Sequence, residues 1–199
     1  MAQLKFVYSH KTEKGIYEYV KNKYPEKVVG LDINNKPETD LLNARILDVT
    51  REWDKREVGF ISQLNQTFGV SFSLENVSAM LSRVPVYPYE DNWFAIPMED
   101  INQQLHLICH ETIHFVFHRH FEEELLAKFE KTKKSKEIVY AIKEALPEML
   151  NFKQFRPFAG DGVFDTGKAD VTEQLVRHII RRIYQKNRTF SVMDLVNLL

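Results

Sequence analysis

Four histidines, His106, His110, His114 and His118, recur at intervals of four within residues 105–118. On a helix, positions four apart lie nearly above one another, so two neighbouring imidazoles can face one metal ion. Each step of four rises about 6 Å, so only neighbours can share an ion. Of the three neighbouring pairs, only His110/His114 carries a carboxylate straight after its first member, in His110-Glu111-Thr112-Ile113-His114. Leu107 and Phe115 stand there in the other two. The chemistry this HExxH spacing serves is metal-assisted hydrolysis. The two imidazoles hold the ion, and Glu111 takes a proton from water bound to it. Zinc suits two His and one acid best; manganese and iron fit that donor set less well.

These side chains need a helix to position them. Ile108, Ile113, Phe115, Val116 and Phe117 are apolar, and the nearest upstream proline is Pro97. The pattern predicts a mostly buried helix over 99–121 with one polar stripe. A buried stripe of ionisable groups is costly unless it is paired or bound to metal. Chance HExxH in a His-rich helix is the plain alternative, and the apolar surroundings weigh against it. Cys109, about 100° around the helix from the stripe, reads as a small buried apolar residue.

Two histidines leave zinc one protein ligand short. His120 stands six residues past His114, but on a continuing helix that is about 600°, which turns it away from the pair. The other candidate lies in residues 137–150. Ile138, Ala141, Ile142, Ala145 and Met149 form a core-facing stripe there, with Glu144 and Glu148 on a stripe beside it. Pro147 is expected to kink this segment between the two acids.

With these residues in view, the chain resembles the gluzincins, the zinc peptidase group that includes thermolysin. His110, Glu111 and His114 match their first motif, and Glu144-Ala145-x-x-Glu148 resembles their second. The resemblance covers roughly residues 84–150. It implies an α+β, zincin-like fold with one zinc ion held by His110, His114 and Glu144. It also implies that Glu148 hydrogen-bonds a liganding histidine. A group beyond the third ligand, His178 or Tyr184, would stabilise the oxyanion. The implied activity is a zinc-dependent metallopeptidase acting on a peptide or protein, with Glu111 as general base and then acid. A narrow processing enzyme that cuts one regulatory protein is a variant of that reading. From a different class, a zinc-binding regulatory or interaction module that cleaves nothing is the alternative.

The chain of 199 residues is expected to form one domain with two lobes, 1–121 including the motif helix and a helical 122–199. A net charge of −1 gives no reason to expect nucleic acid or an acidic membrane as partner. One cysteine excludes an internal disulfide and a multi-cysteine zinc site. No apolar run suggests a signal peptide or membrane span, so a cytoplasmic protein is expected.

Along the chain, strands are predicted at 5–8, 28–33 and 70–74, and a hairpin joins 84–87 to 93–96 with Pro85 on an edge. A helix is expected over 12–24. A long amphipathic helix is expected over 38–68, weakest at Gly59 and ended by Gly69. The basic run 131–136 reads as a solvated turn and 155–167 as a connecting loop. Asp170 is expected to cap a helix over 171–185, whose Arg177, Arg181 and Arg182 form a solvated face. A short helix over 192–199 is expected to close the chain.

Overall fold

The computed structural model describes residues 3–86, 89–90, 92–129, 133–160 and 171–187, with single positions 191, 194 and 197. In chain order the elements are β1 (Lys5–Val7), α1 (His10–Lys23), α2 (Thr39–Asp54), α3 (Glu57–Phe68), β2 (Ser78–Ser82), β3 (Tyr89–Glu90) and β4 (Trp93–Pro97). The rest is helical: α4 (Ile101–His120), α5 (Glu122–Lys128), α6 (Lys133–Ala145), α7 (Arg156–Ala159) and α8 (Val171–Asn187). The class is α+β, mostly helical. Among the described residues, no helix is long and apolar enough to cross a membrane. The expected loop beyond Gly160, the Asp170 cap and most of the expected last helix lie outside the described residues, as do Lys131 and Thr132 of the basic run.

Two compact units divide the chain. The first is Met1–Glu57 with Leu74–Ile108, and the second is Val58–Ser73 with Cys109–Leu199. The division falls inside α4, between Ile108 and Cys109, whereas the lobes read from the sequence part after residue 121.

The first unit holds the sheet, in the order β1-β2-β4-β3. β1, β2 and β4 run parallel, in register Phe6↔Ala79 and Ala79↔Phe94, and β3 pairs antiparallel with β4. β2 is central and buried along Ala79–Ser82, so it lacks the apolar–polar alternation that reveals a half-exposed strand. It was not predicted for that reason. Helix α1 packs Ile16 and Val20 with Met80, Ala95, Val28 and Ile33 in one core cluster. Its N-cap is Ser9, whose Oγ accepts from Thr12 N at 3.2 Å.

Three predicted strands need correction. At 28–33 the chain instead forms a 3₁₀ turn, Pro25–Val28, and then reverses at Gly30 with φ +77°. Leu31 N bonds Val28 O at 3.1 Å and Asn34 N bonds Asp32 Oδ1 at 2.9 Å, so the backbone is satisfied locally. Val28 and Ile33 still reach the core. The hairpin forms further on than expected, with β3 at Tyr89–Glu90, because Val86 N bonds Val84 O and bends the chain at Pro85. Its second arm, β4, is as expected.

The third, at 70–74 and mostly in the second unit, is irregular because Asn65 takes its ladder groups. Asn65 Nδ2 donates to Phe72 O at 3.1 Å, and Phe72 N donates to Asn65 Oδ1 at 3.0 Å. Asn65→Ala is expected to lower stability by about 1–2 kcal/mol, read from the shift of the urea midpoint at constant slope.

The long helix expected over 38–68 is interrupted at Lys55–Arg56, where Arg56 Nη1 donates to Glu52 O at 2.6 Å and Oε2 at 2.8 Å. Gly59 does not break it. It lies inside α3, where a Cβ would meet the Phe158 ring at 2.8 Å. Gly69, at φ +65°, follows the end of α3 as expected. In the second unit Phe60 packs edge-on to Phe155, and Phe68 packs on Phe121.

A buried ion pair ties the first unit together. Glu13 is fully buried on α1. Its carboxylate accepts from Arg83 N at 2.7 Å, Arg83 Nη2 at 2.8 Å and Tyr8 Oη at 2.6 Å. Burial pushes the Glu13 carboxyl up, but hydrogen bonds from Arg83 and Tyr8 overcome this and leave it below its ordinary value. Burial and the Glu13 charge together push Tyr8 up.

Candidate metal centre

Helix α4 opens on Asp100, whose Oδ1 accepts from Asn102 N at 2.9 Å and Gln103 N at 3.0 Å. It then runs 20 residues to His120 without a break. In its second-unit part, Cys109, Ile113, Phe115, Val116 and Phe117 are each 3% exposed or less. A helix apolar on nearly every side is a core helix. His114 and Glu111 are buried within it, at 2% and 5% exposure.

The HExxH spacing brings its three side chains together. One donor atom each from His110, Glu111 and His114 lies within 4.8 Å of the others. His110 Nε2 stands 3.8 Å from Glu111 Oε1, and His114 Nδ1 stands 3.4 Å from Glu111 Oε2. The two imidazole rings meet edge-on with centroids 4.4 Å apart. Burial pushes the Glu111 carboxyl up to about 7, opposed by His110 and reinforced by the Glu144 charge. Burial also lowers His114 to about 3, opposed by Glu144. His114 is therefore neutral near pH 7, the form that coordinates a metal. Glu111 Oε2 is buried with no hydrogen-bond partner among the described residues. Two imidazoles beside an under-satisfied buried carboxylate form a group that could hold a metal ion.

The second predicted segment folds as α6 followed by a 3₁₀ turn, Leu146–Asn151, with Pro147 in its first positions. The change of helix type between the two acids is the expected kink. Glu144, on the last turn of α6, lies near enough for its charge to act on both Glu111 and His114. It is outside the 4.8 Å group, and its Oε1 pairs with Lys143 Nζ at 2.8 Å. Lys143 is 7% exposed, its ammonium 4.6 Å from the centre of the Tyr140 ring. Its charge too is felt by Glu111 and His114. The sequence reading missed this lysine, although its place directly before Glu144 was a signal.

Glu148 is buried, and its hydrogen bonds among the described residues come from Arg181 and Asn151. Arg181 Nε and Nη2 donate at 2.9 and 2.7 Å, and Asn151 Nδ2 at 3.2 Å. Arg177 Nη1 lies 3.5 Å from its other oxygen. The expected solvated arginine face on α8 is corrected at Arg177, which is buried and also pairs with Glu173; Arg181 and Arg182 are exposed as expected, although Arg181 also pairs with Glu148. The four-residue spacing of Glu173, Arg177 and Arg181 was the available signal. His178 is exposed on α8, outside the group of three. Tyr184 stacks on Phe152 with ring centroids 4.3 Å apart and lines a cleft of about 810 Å³ with Gln63, Gln154 and Gln185. His120 is exposed and edge-on to Phe72, turned away as a continuing helix requires. His118 pairs with Glu122. Cys109 is buried.

No family model, curated protein or solved structure matches the chain.

Proposed function

We propose that the chain is a zinc-dependent metallopeptidase of gluzincin type on a zincin-like fold. The observation that carries this reading is the convergence of His110, Glu111 and His114 within 4.8 Å on a buried helix. His110 and His114 would hold the ion, with Glu144 on α6 as third protein ligand. When bound, zinc supplies a Lewis acid and a water of lowered pKa at its open position. Glu111, 3.8 Å from His110 Nε2 and 3.4 Å from His114 Nδ1, would serve as base toward water and as acid toward the leaving amine of a peptide. Apolar walls around α4 strengthen every charge interaction at Glu111 by excluding water. Of the two groups proposed for the oxyanion, His178 is on the exposed face of α8, and Tyr184 lines the cleft beside Phe152. The substrate is a peptide or protein, and a cytoplasmic setting goes with this reading.

The first measurement is zinc content after reconstitution. Wild type is expected to bind one equivalent, His110→Ala none, and Glu144→Ala a fraction with at least tenfold weaker affinity. A wild type that takes up no zinc would end the proposal. A non-catalytic metal-binding module is the second reading, favoured by the Lys143–Glu144 ion pair, which engages the intended third ligand. Zinc bound tightly by both wild type and Glu144→Ala, with no hydrolysis by either, would select it.

A further inference from the structure

We infer that Lys143 is a resident counter-cation of the metal centre, which competes with the incoming ion for Glu144. The inference rests on the proposed centre and deepens it by naming what controls loading. Two carboxylates, Glu111 and Glu144, and one ammonium, Lys143, lie in the surroundings of the buried His114. Without a metal, the ammonium is one of the groups, with His110 and His118, whose charge acts against that of the carboxylates. Lys143 Nζ holds Glu144 Oε1 at 2.8 Å, one of the two oxygens that Glu144 would offer a metal. Both side chains are substantially buried, at 8% and 26% exposure, so water screens the pair only partly.

Metal loading through that oxygen would require Glu144 to leave Lys143, and loading through the other would still share the carboxylate's charge with the ammonium. The Tyr140 ring, 4.6 Å from the ammonium, gives Lys143 a second support once the carboxylate has gone. Lys143 then remains a positive charge near a divalent ion, which lowers metal affinity further. Replacing the ammonium with a neutral chain of similar length removes both penalties. Replacing it with another cation removes neither.

The test is competition for zinc against a chromophoric chelator, in the full chain, with zinc as the only added ligand. Lys143→Met is expected to bind zinc at least about tenfold more tightly than wild type. Lys143→Gln, a second neutral variant that keeps polarity if the thioether chain disturbs folding, is expected to show the same gain. Lys143→Arg is expected to stay within about threefold of wild type. In a Glu144→Gln background the gain from Lys143→Met should fall below about threefold, because the competed carboxylate is absent. An unchanged or weaker affinity in both folded neutral variants overturns the inference. So does an undiminished gain without Glu144. His110→Ala separates the two levels: zinc lost there with no gain at Lys143 leaves the centre standing and this inference refuted. Zinc kept by His110→Ala refutes both.

Discussion

Glu111→Gln is expected to retain one equivalent of zinc and to lose hydrolysis by about 10²–10⁴-fold, the range that a positioned general base contributes. Glutamine copies the shape of glutamate and keeps an oxygen that accepts hydrogen bonds, but its amide cannot take a proton from water at neutral pH. Burial already disfavours charge on Glu111, so a neutral side chain there leaves the fold at least as stable. His110 and His114, the proposed ligands, are untouched. The readouts are zinc content and cleavage of a peptide library followed by mass spectrometry, wild type beside variant. Equal cleavage by both would remove Glu111 from the mechanism. Loss of zinc together with activity would instead make Glu111 a ligand, as its place in the group of three permits.

Arg83→Met is expected to destabilise the protein by roughly 3–5 kcal/mol, because it leaves Glu13 as a buried carboxylate without its cation. For a chain of this size that is a fall in Tm of about 6–20 °C. Glu13→Gln should cost less, since Arg83 retains 20% exposure and can turn to water. The double variant, Glu13 and Arg83 both to Met, should recover much of the loss, as an apolar pair often substitutes for a buried ion pair.

The pH dependence follows from the depressed Glu13 carboxyl. A carboxyl lowered by folding stabilises above its ordinary 4.5 and loses that contribution as pH falls below it. The gap between wild type and Arg83→Met should therefore be widest near neutral pH and narrow in acid below about 4.5. Urea denaturation of both proteins at pH 7 and pH 4 measures it. A gap that widens in acid would mean the pair does not stabilise through the Glu13 charge.

Much of this was legible from local pattern. Helices α1, α6 and α8 follow their apolar periodicity, α4 its long proline-free apolar run, and Pro147 and Gly69 act where their backbone chemistry requires. The group of three was legible because its members lie within five consecutive residues of one helix. What escaped depends on contacts distant in sequence. β2 is buried on both sides by partners about 70 residues before it and 15 after it, and a strand so placed carries no alternation. The segment 70–74 alternates as a strand should, but the amide of Asn65 is nearer than any edge it could join. Glu148 resembles a histidine partner in motif, yet Arg177 and Arg181 stand on α8, some 30 residues away, and reach it with more donors.

The division inside α4 governs how the chain can be cut. Each compact unit is made of two separate stretches, and the stretches alternate along the polypeptide. No single contiguous fragment contains either unit whole without part of the other. A truncation that begins at Cys109 carries the HExxH motif but cuts its helix and discards Phe60 and Phe68, whose aromatic partners Phe155 and Phe121 it keeps. One that stops at Ile108 keeps those two rings and discards what buries them. During synthesis, too, residues 58–73 leave the ribosome well before the rest of their unit exists. If the sheet unit folds during synthesis, it does so with residues 58–73 lying between its two stretches of chain.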